Sequence, residues 1–271
     1  LQEENKNMAN PIPPIAAELG QTNTALVGAS TLKRGSVVAR GNAATIDTNG
    51  MFIGTAVGTA TARNVANTNA LTRLNRVLMA GGATAGNMAE LFGAAQFLGG
   101  AAKTATTPES GGFKISILVA ITDPATVSGA RSFFGLTDSA SALTNVEVTT
   151  LTNILGFAQV AADTNMRVVY NDASGTASSI DLGSNFPMTD GNLYELGLVW
   201  EPGGDRVRWS VYRPLGNVTG ADINTYYREG ELTSDIPALT TLLAFHLWRC
   251  NNATALATGF DLAHLVIDSV L

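Results

Sequence analysis

The sequence predicts a mainly β protein: an antiparallel sandwich of the jelly-roll kind, preceded by an extended N-terminal arm, short β-hairpins and one short helix. Three observations lead there. From Gly111 onward, apolar and polar residues alternate in run after run. Turn-forming clusters, "TDPATVSG", "NDASG", "EPGGD" and "PLGNVTGAD", separate these runs at short spacing. The chain is 45% hydrophobic across 271 residues, enough to bury roughly 75% of its unfolded surface around one large core. Period-two alternation interrupted by frequent turns indicates antiparallel layers rather than a parallel α/β sheet.

Residues 1–30 show no sustained period. Pro11, Pro13 and Pro14 impose extended backbone and remove donors, so this stretch reads as an arm or anchor. Residues 31–110 read as a hairpin region. "TLKRGSVVARG" and "AATIDTNGMFIGTA" are short β-capable runs, and Asn49-Gly50 is a strong hairpin signal because a type I′ turn needs positive φ at both central positions. The short helix is expected at about 88–98, within "NMAELFGAAQFL". Asn87 can cap it, Glu90 can reach back to the cap, and Met88, Leu91, Ala95 and Leu98 form a stripe closed by Gly99-Gly100.

Residues 111–271 form the sandwich. In "FKISILVAI", Phe113, Ile115, Ile117, Val119 and Ile121 share one face. Leu196, Leu198 and Trp200 do the same in "YELGLVW", and Val207, Trp209 and Val211 in "RVRWSVY". "ADTNMRVVYNDASGTASSIDLG", residues 162–183, is read as a hairpin with a polar tip, and "GFDLAHLVIDSVL" as a long closing strand.

Composition removes several functions. Net charge is −6 with 16 scattered basic residues, which argues against nucleic-acid binding by phosphate neutralisation. No apolar run reaches the roughly 18 residues of a membrane span, so no membrane insertion is expected. One cysteine, Cys250, excludes an internal disulfide and a multi-cysteine metal site. There is no G-x-S-x-G elbow, no Walker loop and no G-x-G-x-x-G after a strand. No catalytic residue, metal site or cofactor is therefore assigned.

His246 and His264 lie inside apolar strands and read as satisfied sheet histidines. Asp163, Asp172, Asp181 and Asp190 recur every nine residues. They lack the glycine-rich surroundings of a calcium repeat, and turn use is the better reading. Trp200, Trp209 and Trp248 could stack on sugar rings, but their strand positions favour packing. The sequence-level candidate for ligand binding is Tyr226, Tyr227 and Arg228 in "DINTYYREG", where aromatic area and donors suit glycan or protein contacts.

Two groups of segments resemble phage virion appendage proteins, of the tail-fibre, spike or head-fibre type. "RGSVVARGNAATIDTNGMFIGTAVGTATAR" followed by "RVLMAGGATAGN" is similar to a stretch common in such proteins, with Arg34, Asp47, Gly50, Arg63 and Leu78 to Asn87 in comparable places. "FFGLTDSAS", "ILGFAQVAADTNMRVVYNDASGTASSIDLGSNFP", "LYELGLVWEPGG" and the segment from "EGELTSDIPAL" onward resemble a concanavalin/laminin-G-like β-sandwich found in virion proteins. The resemblance implies a non-enzymatic structural subunit of the virion, a homotrimer joined to other virion proteins through residues 1–30. Its head would display a receptor-binding surface for host glycan. It transfers no catalytic set. A capsid decoration or cement protein and a glycan depolymerase are the alternatives.

Overall fold

The computed structural model describes residues 32–40, 43–50, 56–106, 109–123, 127–214 and 226–270. The arm expected at residues 1–30 lies outside them, as does the run 51–55 that follows Asn49-Gly50. Among the described residues fifteen strands follow in order: β1 Leu32–Ala39, β2 Ile46–Asn49, β3 Thr59–Arg63, β4 Arg76–Ala80, β5 Met88–Phe92, β6 Gly111–Ile121, β7 Arg131–Thr137, β8 Ile154–Gln159, β9 Arg167–Asn171, β10 Ser178–Asp181, β11 Leu193–Trp200, β12 Val207–Tyr212, β13 Tyr227–Leu232, β14 Ala244–Cys250 and β15 Gly259–Val270.

They form two antiparallel sheets. The first has nine strands, in the order β13-β12-β11-β6-β15-β1-β2, with β4 also on β15 and β3 on β4. The second has six, in the order β10-β9-β8-β7-β14-β5. The predicted sandwich is present, and strands from residues 31–110 complete both of its sheets. The 162–183 hairpin is also present, as β9 paired with β10. β2 pairs back onto β1, with the Arg40 amide donating to the Thr45 carbonyl, and the second arm of the hairpin expected at Asn49-Gly50 lies in residues 51–55, outside the described residues.

The helix expected at 88–98 is absent: its first part is strand β5, Met88–Phe92, and the rest is irregular apart from single bridges. Met88 to Phe92 pair with Cys250 to His246 of β14, and Phe97 bridges to Leu243. "MAELF" satisfies either period over five residues. Ala89 and Leu91 face the main core, and the partner strand 160 residues downstream decides the outcome. Among the described residues the helical content is one 3-10 turn at Val148–Thr150.

The inner faces carry the residues that alternation predicts. Ile115, Ile117 and Val119 of β6, Leu196, Leu198 and Trp200 of β11, and Val207, Trp209 and Val211 of β12 meet Phe134, Leu136, Leu155, Phe157, Phe245 and Leu247 of the six-stranded sheet. A smaller core lies on the far side of that sheet, where Phe133, Ile154, Val169 and Trp248 are covered by Leu143 and Val148 from the 138–150 loop. Each fully buried side chain of this kind contributes about 1.5–3 kcal/mol.

Candidate functional site

The site is built at a branch in the nine-stranded sheet. One edge of β15 pairs with β6 along its length. Its other edge pairs first with β4, Gly259 to Leu262, and then with β1 from His264 onward. The register against β6 slips at this branch, between Leu262 and His264, and such a bulge re-aims the strand. Gly259 lets β4 approach: a Cβ there would lie 2.9 Å from the Met79 carbonyl oxygen and 3.0 Å from Leu78 Cδ1.

Above this branch is a cleft of about 480 Å³, lined by Arg63, Leu71, Arg76, Leu78, Ala80, Thr122, Asp123, Asp190, Ala257, Thr258, Gly259 and Asp261. At its floor the Asp261 carboxylate, almost wholly buried, accepts from Arg63 Nε at 3.1 Å and from Arg76 Nε at 2.8 Å. Arg76 Nη1 donates to the Thr72 and Leu74 carbonyls, and the Thr122 hydroxyl reaches Asp261 at 3.4 Å. Two guanidiniums on one carboxylate leave donor capacity over. Arg63 commits only its Nε among the described residues, and its side chain is one-third exposed. The Thr258 hydroxyl is buried with no hydrogen-bond partner. Asp190 is exposed at the rim.

Asp123 braces the back of the cleft. Its Oδ1 accepts from the Gly259 amide at 2.9 Å and from Arg249 Nε at 2.8 Å, and its Oδ2 accepts from Arg249 Nη2. Arg249 also donates to Ser132 Oγ at 2.6 Å and Gln159 Oε1 at 2.9 Å. A buried charge is tolerated only when paired and fully hydrogen-bonded. This network meets that condition while tying the end of β6 to β14 of the other sheet.

The other sequence candidates fall elsewhere. Tyr226 precedes β13, at the far edge of the nine-stranded sheet, and its ring lies 5.6 Å from the Arg213 guanidinium. The Tyr227 hydroxyl donates to Glu229 Oε2 at 2.6 Å, and the Arg228 guanidinium sits 5.9 Å from the Phe186 ring. These three residues and the cleft lie at the same end of the sheet, four strands or about 19 Å apart. The structure does not bring them into one pocket. Residues 222–225 of the same segment lie outside the described residues.

Trp200, Trp209 and Trp248 are buried, as their strand positions predict. His246 is a satisfied sheet histidine: its Nε2 donates to the Ser139 carbonyl at 2.9 Å, and Nδ1 meets Glu90 Oε1 at 2.7 Å. His264 lies on the outer face with Nε2 3.4 Å from Ser116 Oγ, and burial holds its imidazole below the ordinary range. Asp163, Asp172 and Asp181 serve turns. Asp163 accepts from the Asn165 amide, the chief cause that holds its carboxyl below the usual range, with Arg167 and Thr164 adding to it. Asp172 accepts from Ser174 and Asp181 from the Gly183 amide. Only Asp190 enters the cleft. Among the described residues no three His, Cys, Asp or Glu side chains are grouped to hold a metal ion.

Sequence reasoning missed Arg63, Arg76 and Asp261 as a set. Arg63 and Asp261 are 198 positions apart. The available signal was a charged residue on an otherwise apolar strand, as at Asp261 in "GFDLAHL".

Two antiparallel sheets closing over one core define a β-sandwich, the fold its structural neighbours share. No family profile matches the chain, and no curated protein sequence does. Among solved structures it is similar to peanut lectin, with 8% identity, coverage of 89% of this chain and 98% of the other, and a TM-score of 0.54. It is similar to a protein of unknown function from Shewanella oneidensis MR-1, with 13% identity, 96% and 95% coverage and a TM-score of 0.53. The carbohydrate recognition domain of Emp47p aligns with 9% identity, 87% and 95% coverage and a TM-score of 0.53. At these identities the likeness concerns the fold.

Proposed function

We propose that this chain is a non-enzymatic glycan-binding module and that the cleft beside Asp261 holds the sugar. The observation that carries the reading is the cleft's unspent hydrogen-bonding capacity. Arg63 has amino groups to donate beyond the Nε it gives Asp261, and the exposed Asp190 carboxylate can accept. A sugar ring offers hydroxyls that both donate and accept. Lectin-like scaffolds among the similar structures, one of them a carbohydrate recognition domain, support the same reading. Of the three sequence candidates at that end of the sheet, Tyr227 pairs with Tyr212 on the outer face and would meet a longer glycan chain beyond the cleft, whereas Arg228 pairs with inward-facing Val211 and lies over Phe186.

The setting we propose is the virion of a bacteriophage, where a homotrimer would display three such heads to host-surface glycan. The sequence resemblance supports this setting, and three linked sites would raise a weak single-site affinity by orders of magnitude. A glycan array probed with the purified chain tests the binding reading. Binding that Asp190→Ala abolishes without changing the unfolding curve is the expected result, and an array with no hits rejects it. Labelling intact virions with an antibody to this chain tests the setting, and light scattering tests the trimer. A depolymerase would release reducing ends from host polysaccharide, and a cement protein would label the whole shell.

A further inference from the structure

The cleft beside Asp261 has two unlike walls. One is apolar, made by Leu71, Leu78, Ala80 and Ala257. The other carries Arg63, Arg76, Asp261 and the unpartnered Thr258 hydroxyl. Both come together on β4, where Arg76, Leu78 and Ala80 alternate onto the outer face. Cationic donors therefore stand one strand period, about 7 Å, from bare hydrocarbon. Charge in the region is balanced: Arg63, Arg76 and Arg249 against Asp123, Asp190 and Asp261. Among the described residues no aromatic ring lines the cleft, so the groups it offers a ligand are these polar and aliphatic side chains.

The matching group is neutral, with a strong acceptor next to a methyl. A plain hexose has no methyl for the Leu78 wall. A carboxylate would be stripped of water against Leu78 and Ala80 at a cost an uncharged carbonyl avoids. An ammonium would face Arg63 and Arg76. Resting on the glycan-binding reading, we propose that the cleft recognises the acetamido group of an N-acetylhexosamine. Its carbonyl oxygen accepts from the terminal amino groups of Arg63 or Arg76, its methyl packs on Leu78 and Ala80, and ring hydroxyls donate to Asp190.

Calorimetric titration of the whole chain tests this, using methyl glycosides of an N-acetylhexosamine and of the matching hexose, hexosamine and hexuronate, each in gluco, galacto and manno configuration. One N-acetylated sugar should bind about tenfold or more tighter than its three counterparts, the worth of one good polar contact. Arg63→Met should remove about tenfold of that affinity, while Leu78→Ser should bring the N-acetylated sugar down to the hexose and leave the hexose unchanged. Ala80→Ser gives the same reading if Leu78→Ser does not fold. A hexose that binds equally well, or a hexuronate or hexosamine that binds better, overturns the acetamido assignment and leaves glycan binding standing. Failure of every sugar overturns both.

Discussion

The two sheets treat their outer faces in opposite ways. On the six-stranded sheet the face is closed. Phe133, Ile154, Val169 and Trp248 lie under the 138–150 loop in a second small core. Glu90 pins the loop by accepting from the Leu143 amide at 3.1 and 2.9 Å while meeting His246, whose ring stacks on Phe92. On the nine-stranded sheet the described residues leave the face partly open, although Lys114, Ala120, Ser210 and Asp268 on it are buried. Ser36, Ser116, Gly197, Val199, His264 and Val266 are only half-buried, and Val38 is exposed. The contrast shows why the cleft sits where it does. A face sealed by its own loop has spent its polar groups on that seal, whereas the open face ends at a strand branch whose donors are not all committed.

Truncations on the two faces test this contrast most directly. Trp248→Ala, under the loop, should cost about 3–5 kcal/mol in urea unfolding. Val199→Ala, on the open face, should stay within about 0.5 kcal/mol. Equal costs would mean that the open face is covered after all.

The seal itself comes next. Glu90→Gln keeps the shape but weakens the hold on the Leu143 amide and His246, both fully interior partners. A loss of about 1–3 kcal/mol is expected, with amide hydrogen exchange accelerating in residues 138–147 more than in β11. Unchanged exchange there would show that the loop is held by packing alone.

A smaller effect distinguishes the open face by pH. Burial holds the His264 imidazole below its ordinary 6.5, so the unfolded chain binds the proton more readily. Its contribution is full above pH 6.5 and is lost as pH falls through the folded value. Burial pushes the Glu195 carboxyl above its ordinary 4.5, so its contribution is full below pH 4.5 and is lost as pH rises through the folded value. His264→Gln should flatten the acid-side slope of stability, and Glu195→Gln should flatten the slope of opposite sign. Slopes identical to the parent chain would place both groups in water. The smallest effect is expected at the solvent-exposed Arg40–Asp47 pair, where Arg40→Ala should leave the melting temperature unchanged.

Much of this was legible in the sequence. Alternation alone placed Ile115, Ile117 and Val119, Leu196, Leu198 and Trp200, and Val207, Trp209 and Val211 on the faces they occupy, because a strand's side-chain period is two whatever its neighbours are. "MAELF" misled because five residues with a plausible cap satisfy both periods, and Asn87 to Glu90 looked like a local capping pattern. Glu90 instead serves a histidine 156 positions away. The Tyr226–Arg228 candidate rested on composition, which cannot report which strand lies at an edge.

By itself, then, the sequence determined the class of fold, the inward face of the long strands and the turn duty of Asp163, Asp172 and Asp181, since each follows from backbone geometry within a few residues. Only the tertiary structure decided that β15 divides its edge between β4 and β1, that Arg63 and Arg76 share Asp261, and that among the described residues one outer face is sealed by a loop and the other is not. Those outcomes depend on strand pairings between distant segments, which are settled by burial and hydrogen bonding over the whole chain rather than by any local pattern.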